Sequence, residues 1–128
     1  MKLDNDIAVW ENILSEEDCQ AVIDRYEKLS SMRLSYSRDD LRDAPSHKKS
    51  DRAIFVLGDE VIKATPDMDY LHPFLNKFWL CWGQYLRHYS VLEETGKHHI
   101  RSMKIQKTLP GQRYHVWHFE SDGPQNSM

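Results

Sequence analysis

The residues with the clearest chemical potential sit in one short segment, Tyr114-His115-Val116-Trp117-His118-Phe119-Glu120. Its β-branched and aromatic residues favour extended chain, and in a strand successive side chains point to opposite faces. His118 and Glu120 would then share a face two residues apart, where an imidazole nitrogen and a carboxylate oxygen reach one ion. Two His and one carboxylate on one face of an octahedron leave three positions open, the arrangement suited to non-haem Fe(II). This pair would supply two of those three ligands. The same spacing also arises in sheets where both side chains are satisfied by ordinary hydrogen bonds. A second pairing, His115 with His118, puts the rings on opposite faces of a strand and would meet at zinc only in a helix. His47, His98 and His99 have no partner at useful spacing and read as solvated loop residues.

Several elements must position that segment. Ile7 to Trp10 is a short apolar run of strand type. Ser15-Glu16-Glu17-Asp18 opens a helix, because Ser15 can accept from an unpaired N–H of the first turn and the acids suit the positive end of the helix dipole. Cys19, Val22, Ile23, Tyr26 and Leu29 then recur at three- and four-residue spacing, which predicts a helix over about 16–32. The run Ala53 to Leu57, stopped by Gly58, predicts a buried strand. Pro73 suits the first turn of a second helix, and Phe74, Leu75, Phe78, Trp79, Trp82, Tyr85, Leu86 and Tyr89 trace a stripe so wide that this helix should be largely buried, with Gly96 as its stop. The aromatic run reads as core packing rather than a cofactor box. After Gly96 the period becomes two. Ile100 to Leu109 and Tyr114 to Glu120 are expected to be strands, paired antiparallel across Pro110-Gly111-Gln112-Arg113. Residues 33–52 are dense in charge and poor in apolar spacing, which predicts a mobile surface loop.

The totals bound the function classes. A chain of 128 residues suits a single domain with a real core. Its net charge of −3, from 17 basic and 20 acidic side chains, gives no basic excess to attract nucleic acid or an anionic membrane. No apolar run is long enough for a membrane helix, and the N-terminus has no signal-peptide core. Cys19 and Cys81 read as buried thiols in a reducing compartment, so the expected location is the cytoplasm.

The run Met103 to Tyr114, leading through Val116-Trp117 into His118-Phe119-Glu120, resembles the 2-oxoglutarate- and Fe(II)-dependent oxygenase superfamily, in its prolyl-hydroxylase-like branch. The shared features are a strand, a Pro-Gly turn, a Tyr and then His-x-Asp or His-x-Glu. The specific likeness covers residues 101–120; the opening strand, capped helix and long second helix agree in outline. Tyr114 lies one residue further from the His than is usual there, and Glu120 stands where Asp is commoner. The resemblance implies an α+β fold with N-terminal helices packed on an incomplete double-stranded β-helix, or jelly-roll, sheet. It also implies that His118 and Glu120 ligate iron, and that Gln106, Thr108 and Tyr114 line the 2-oxoglutarate pocket. Such domains commonly run to roughly 200 residues or more. Residues after Glu120 supply neither the family's distal His nor its carboxylate-binding Arg or Lys, so the chain reads as the truncated N-terminal part of an oxygenase domain. It is expected to be inactive alone and to form a homo-oligomer through exposed sheet. The alternative is a non-enzymatic, protein-binding or self-associating module with no working metal site. The substrate is not legible.

Overall fold

A computed structural model describes residues 1–40 and 48–117. These form helices and small antiparallel sheets, an α+β arrangement. Strands β1 (Lys2–Asp4) and β2 (Ile7–Val9) make an N-terminal hairpin. Helix α1 (Glu16–Ser31) follows, opened by the capping box that its sequence forecasts: Asp18 N–H donates to Ser15 Oγ at 3.1 Å, and Ser15 N–H donates to the Asp18 carboxylate at 3.4 Å.

The main sheet has three antiparallel strands in the order β3 (Tyr36–Ser37), β4 (Arg52–Leu57) and β5 (Ser102–Lys107). Between β4 and β5 lie α2 (Asp59–Ala64), a 3-10 stretch (Pro66–Leu71) and α3 (His72–His88). Ile54 faces Ile105 and Val56 faces Met103 across the β4–β5 ladder, so the four point to one side. On that side Val56, Ile62, Leu71 and Leu75 are the buried centre of the core, with Met103 and Ile105 packed against it. Ile62 and Leu75 are the most completely enclosed side chains.

Gly58 makes the β4–α2 corner possible. A Cβ there would lie 2.4 Å from the Ile100 carbonyl oxygen and 2.7 Å from that of Arg101. The backbone before β5 can therefore press directly against the end of β4, and Asp59 N–H donates to the Ile100 carbonyl at 3.1 Å.

Four expectations need correction. Helix α3 is not largely buried: Phe74, Phe78 and Leu80 are each at least a third exposed. The core is small, and α3 gives only one face to it. A second face carries the hairpin, where Tyr85 Oη donates to the Asp6 carbonyl at 2.7 Å, Tyr89 Oη donates to the Asp6 carboxylate, and Trp10 Nε1 donates to Gln84 Oε1 at 2.7 Å. The helix also ends at His88, and Gly96, with φ of 89°, closes a separate 3-10 stretch (Ser90–Thr95). Cys19 is exposed; only Cys81 is buried, and both thiols are free.

The fourth correction concerns the path after β5. The turn is present: Gln112 N–H donates to the Leu109 carbonyl at 2.9 Å, and Gly111 takes the positive φ (85°) that the third turn residue requires. It does not reverse the chain into a partner for β5. Arg52 faces Lys107 and Lys49 faces Tyr114, so three residues on one side are matched by seven on the other. Residues 108–113 are looped out, and Tyr114 resumes the line of β5 against the approach to β4. Two backbone bonds hold that line, Ser50 N–H to the Arg113 carbonyl at 3.0 Å and His115 N–H to the Lys48 carbonyl at 2.7 Å.

Candidate functional site

The stretch over 33–52 has much more structure than its charge density suggests. Among its described residues are β3, a 3-10 turn (Arg38–Asp40), and the buried side chains Ser35, Arg38, Lys49 and Asp51. Alternation explains the placement. Lys49 and Asp51 precede Ala53, Phe55 and Leu57 in period two, so they project from the sheet face opposite the core.

On that face Arg38 grips Asp51 with a two-point fork, Nε to Oδ1 at 2.5 Å and Nη2 to Oδ2 at 2.9 Å. Lys49 Nζ lies 3.3 Å from Asp51 Oδ2. Burial alone would push the Asp51 carboxyl up, but hydrogen bonds from Arg38 and Lys49 outweigh it and hold the group below the usual carboxylate range. The Asp51 hydrogen bond in turn raises the Arg38 guanidinium.

Lys49 is the hub. Its ammonium donates to Tyr114 Oη at 2.7 Å and reaches Gln106 Oε1 at 3.5 Å. Gln106 Nε2 donates to Thr108 Oγ1 at 3.5 Å. The three residues assigned to a cosubstrate pocket by resemblance, Gln106, Thr108 and Tyr114, are thus joined in one chain of contacts around a buried cation. A cation, a phenol, an amide and a hydroxyl form a donor set suited to a carboxylate. Lys49 itself escaped sequence reading because it lies in a charged run. The one signal in the sequence is spacing: Lys49 and Asp51 stand four and two residues ahead of Ala53, the first residue of the apolar strand run, and so fall on the face of Ala53, Phe55 and Leu57 if the strand is extended backwards.

His118 and Glu120 lie outside the described residues. The approach to them is neither helix nor strand: Tyr114 is a single bridge residue, His115 Nε2 is 2.8 Å from Ser50 Oγ, and the chain bends at Val116, so the strand expected from Tyr114 onward is not formed over its described residues. That disfavours the helical zinc pairing of His115 with His118.

A second cluster brings together residues that sequence spacing could not connect. One ligand atom each from Asp59, Glu60 and His99 lies within 4.8 Å of the other two. His99 is therefore not an isolated loop residue. Its neighbour His98 sets its ring edge-on to Trp82, 5.2 Å between centres. The cluster borders a cleft of about 400 Å³, also lined by Trp79 and Trp82, whose indole N–H groups are buried and find no acceptor among the described residues.

In comparisons with known proteins, no family model, no curated protein and no solved structure matches this chain. No helix among the described residues is long and apolar enough to cross a membrane.

Proposed function

We propose that the chain is the N-terminal part of a 2-oxoglutarate- and Fe(II)-dependent dioxygenase of prolyl-hydroxylase-like type, working on a jelly-roll scaffold. His118 and Glu120 act as two iron ligands, and Lys49, Gln106, Thr108 and Tyr114 receive a carboxylate of 2-oxoglutarate. The observation that carries this reading is the meeting of Gln106 and Tyr114 at the buried Lys49 ammonium. Those residues come from different parts of the chain, and a binding role gives their convergence a reason. The cluster lies on the sheet face opposite the core, with Tyr114 four residues before His118 in the chain. That face is also where Tyr36, Phe55 and Leu57 are exposed, as expected if a facing sheet completes the pocket.

When bound, iron and 2-oxoglutarate would supply oxygen activation for hydroxylating a C–H bond. The residues of this chain have simpler tasks. Lys49 neutralises the anion, Tyr114 and Gln106 orient it, and Arg38 keeps Asp51 engaged so that Asp51 does not monopolise Lys49. This reading also calls for a distal His ligand and a covering sheet, and without them the chain should form little succinate from 2-oxoglutarate.

A self-associating module without a metal centre is the second reading, favoured by the exposed row Tyr36, Phe55 and Leu57. Anaerobic Fe(II) titration separates the two. The oxygenase reading expects binding that His118→Ala and Glu120→Ala each weaken, together with Fe(II)-dependent uptake of 2-oxoglutarate. Fe(II) binding indifferent to both substitutions supports the module instead.

A further inference from the structure

We propose that Asp59, Glu60 and His99 form a site for a divalent transition cation of zinc type, separate from the His118 and Glu120 pair. One imidazole and two carboxylates are a mixed nitrogen and oxygen set that suits Zn(II) and its neighbours better than Ca(II) or Mg(II), which favour oxygen alone. The three donor atoms lie within 4.8 Å of one another. Around tetrahedral zinc, with bonds of about 2.1 Å, they would stand roughly 3.4 Å apart. Glu60 and His99 are both exposed and can close that difference by side-chain rotation.

Asp59 supplies the independent reason to expect a cation. Its side chain is 4% exposed, yet its carboxylate accepts no hydrogen bond among the described residues. The nearest positive group is Lys63 Nζ, 3.6 Å away and itself about half exposed. The same ammonium is 3.8 Å from Glu60. The Asp59–Lys63 ion pair is longer than a hydrogen bond, so the Asp59 carboxylate keeps lone pairs to offer a cation. Lys63 can only partly neutralise two acids from beyond hydrogen-bond distance, whereas a metal ion would bond to both directly.

The backbone prepares the geometry. Gly58 lets β4 turn into α2 against the Ile100 carbonyl, and the Asp59 N–H bond to that carbonyl fixes α2 to the segment carrying His99. A bound ion would staple the start of α2 to the entrance of β5. Three protein ligands also leave a position open to water or a small ligand.

The test uses the full chain carrying both His118→Ala and Glu120→Ala, so that the proposed iron site cannot contribute. Co(II), followed by its visible absorption and then displaced by Zn(II), is the probe. The expected result is stoichiometric Co(II) binding that Zn(II) displaces, with a Zn(II)-induced rise in Tm. His99→Ala and Glu60→Gln, both at exposed positions, should each weaken binding at least about tenfold, while circular dichroism shows the fold intact. Lys63→Met should tighten binding by removing the competing ammonium. Asp59→Asn should abolish it; because a buried change of that kind can unfold the chain, the two exposed positions are the ones that decide. No Co(II) binding in this background, or binding unchanged by His99→Ala and Glu60→Gln, overturns the proposal. Either outcome leaves the His118 and Glu120 assignment untouched, because those residues are absent from the experiment.

Discussion

The two faces of the three-stranded sheet solve opposite problems. The inner face presents Ile54, Val56, Met103 and Ile105 to α1, α2 and α3, and its stability comes from removing apolar area from water. The outer face carries a buried ionic cluster of Arg38, Lys49 and Asp51 at one end and exposed Tyr36, Phe55 and Leu57 at the other. Burying charges is expensive, and a well-packed apolar substitute is often at least as stable. Exposed aromatic rows are no help to a monomer either. The inner face is what a fold requires; the outer face has features a fold alone does not explain. That contrast is the physical ground for placing binding chemistry on the outer side.

The largest effects should come from breaking each face at its centre. Asp51→Ala strands the Arg38 and Lys49 charges and should cost about 3–5 kcal/mol of stability, measured by urea unfolding. On the inner side Ile62→Ala should cost about 2–5 kcal/mol, since Ile62 is fully enclosed. If Asp51→Ala cost less than a typical surface change, the ionic cluster would be a solvated decoration and the contrast would fail.

An intermediate effect concerns association. The exposed row on the outer face should drive self-association of the isolated chain, and Phe55→Lys should shift it towards monomer by light scattering. A wild-type chain that stays monomeric at high concentration would show that this face is tolerated in water.

The smallest effect is a pH dependence. Because the folded Asp51 carboxyl is held below its ordinary value, its contribution to stability is present above the unfolded value, about 3.9. It should be lost as pH falls below that through the folded value. Thermal unfolding between neutral and acid pH should therefore show a steeper acid limb in wild type than in Asp51→Asn.

Local signals made part of this legible. Ser15 and Asp18 announce α1 through capping chemistry that operates over three residues, and the apolar run 53–57 announces β4. The Pro110-Gly111 turn was equally readable, but a turn specifies local geometry and not the strand that follows it; the Lys49 to Tyr114 pairing decided the path instead. The ionic cluster was hidden because charge density predicts solvation unless opposite charges meet, and Arg38 and Asp51 meet only after folding. Asp59 and His99 are brought together by the Gly58 corner, a long-range consequence that spacing does not encode. The His118 and Glu120 pair remains a reading of period-two pattern and resemblance, beyond the described residues.

The central claim is that the Lys49 cluster binds a carboxylate of 2-oxoglutarate. The most direct measurement is its affinity by calorimetry under anaerobic Fe(II), for wild type, Lys49→Met and Tyr114→Phe. Losing a charge-assisted hydrogen bond costs about 1.5–3 kcal/mol, so Lys49→Met should weaken binding roughly tenfold to hundredfold. Tyr114→Phe should weaken it less, and the fold should persist because Asp51 keeps its Arg38 partner. Equal affinity in all three proteins, or no 2-oxoglutarate binding by wild type, would contradict the account.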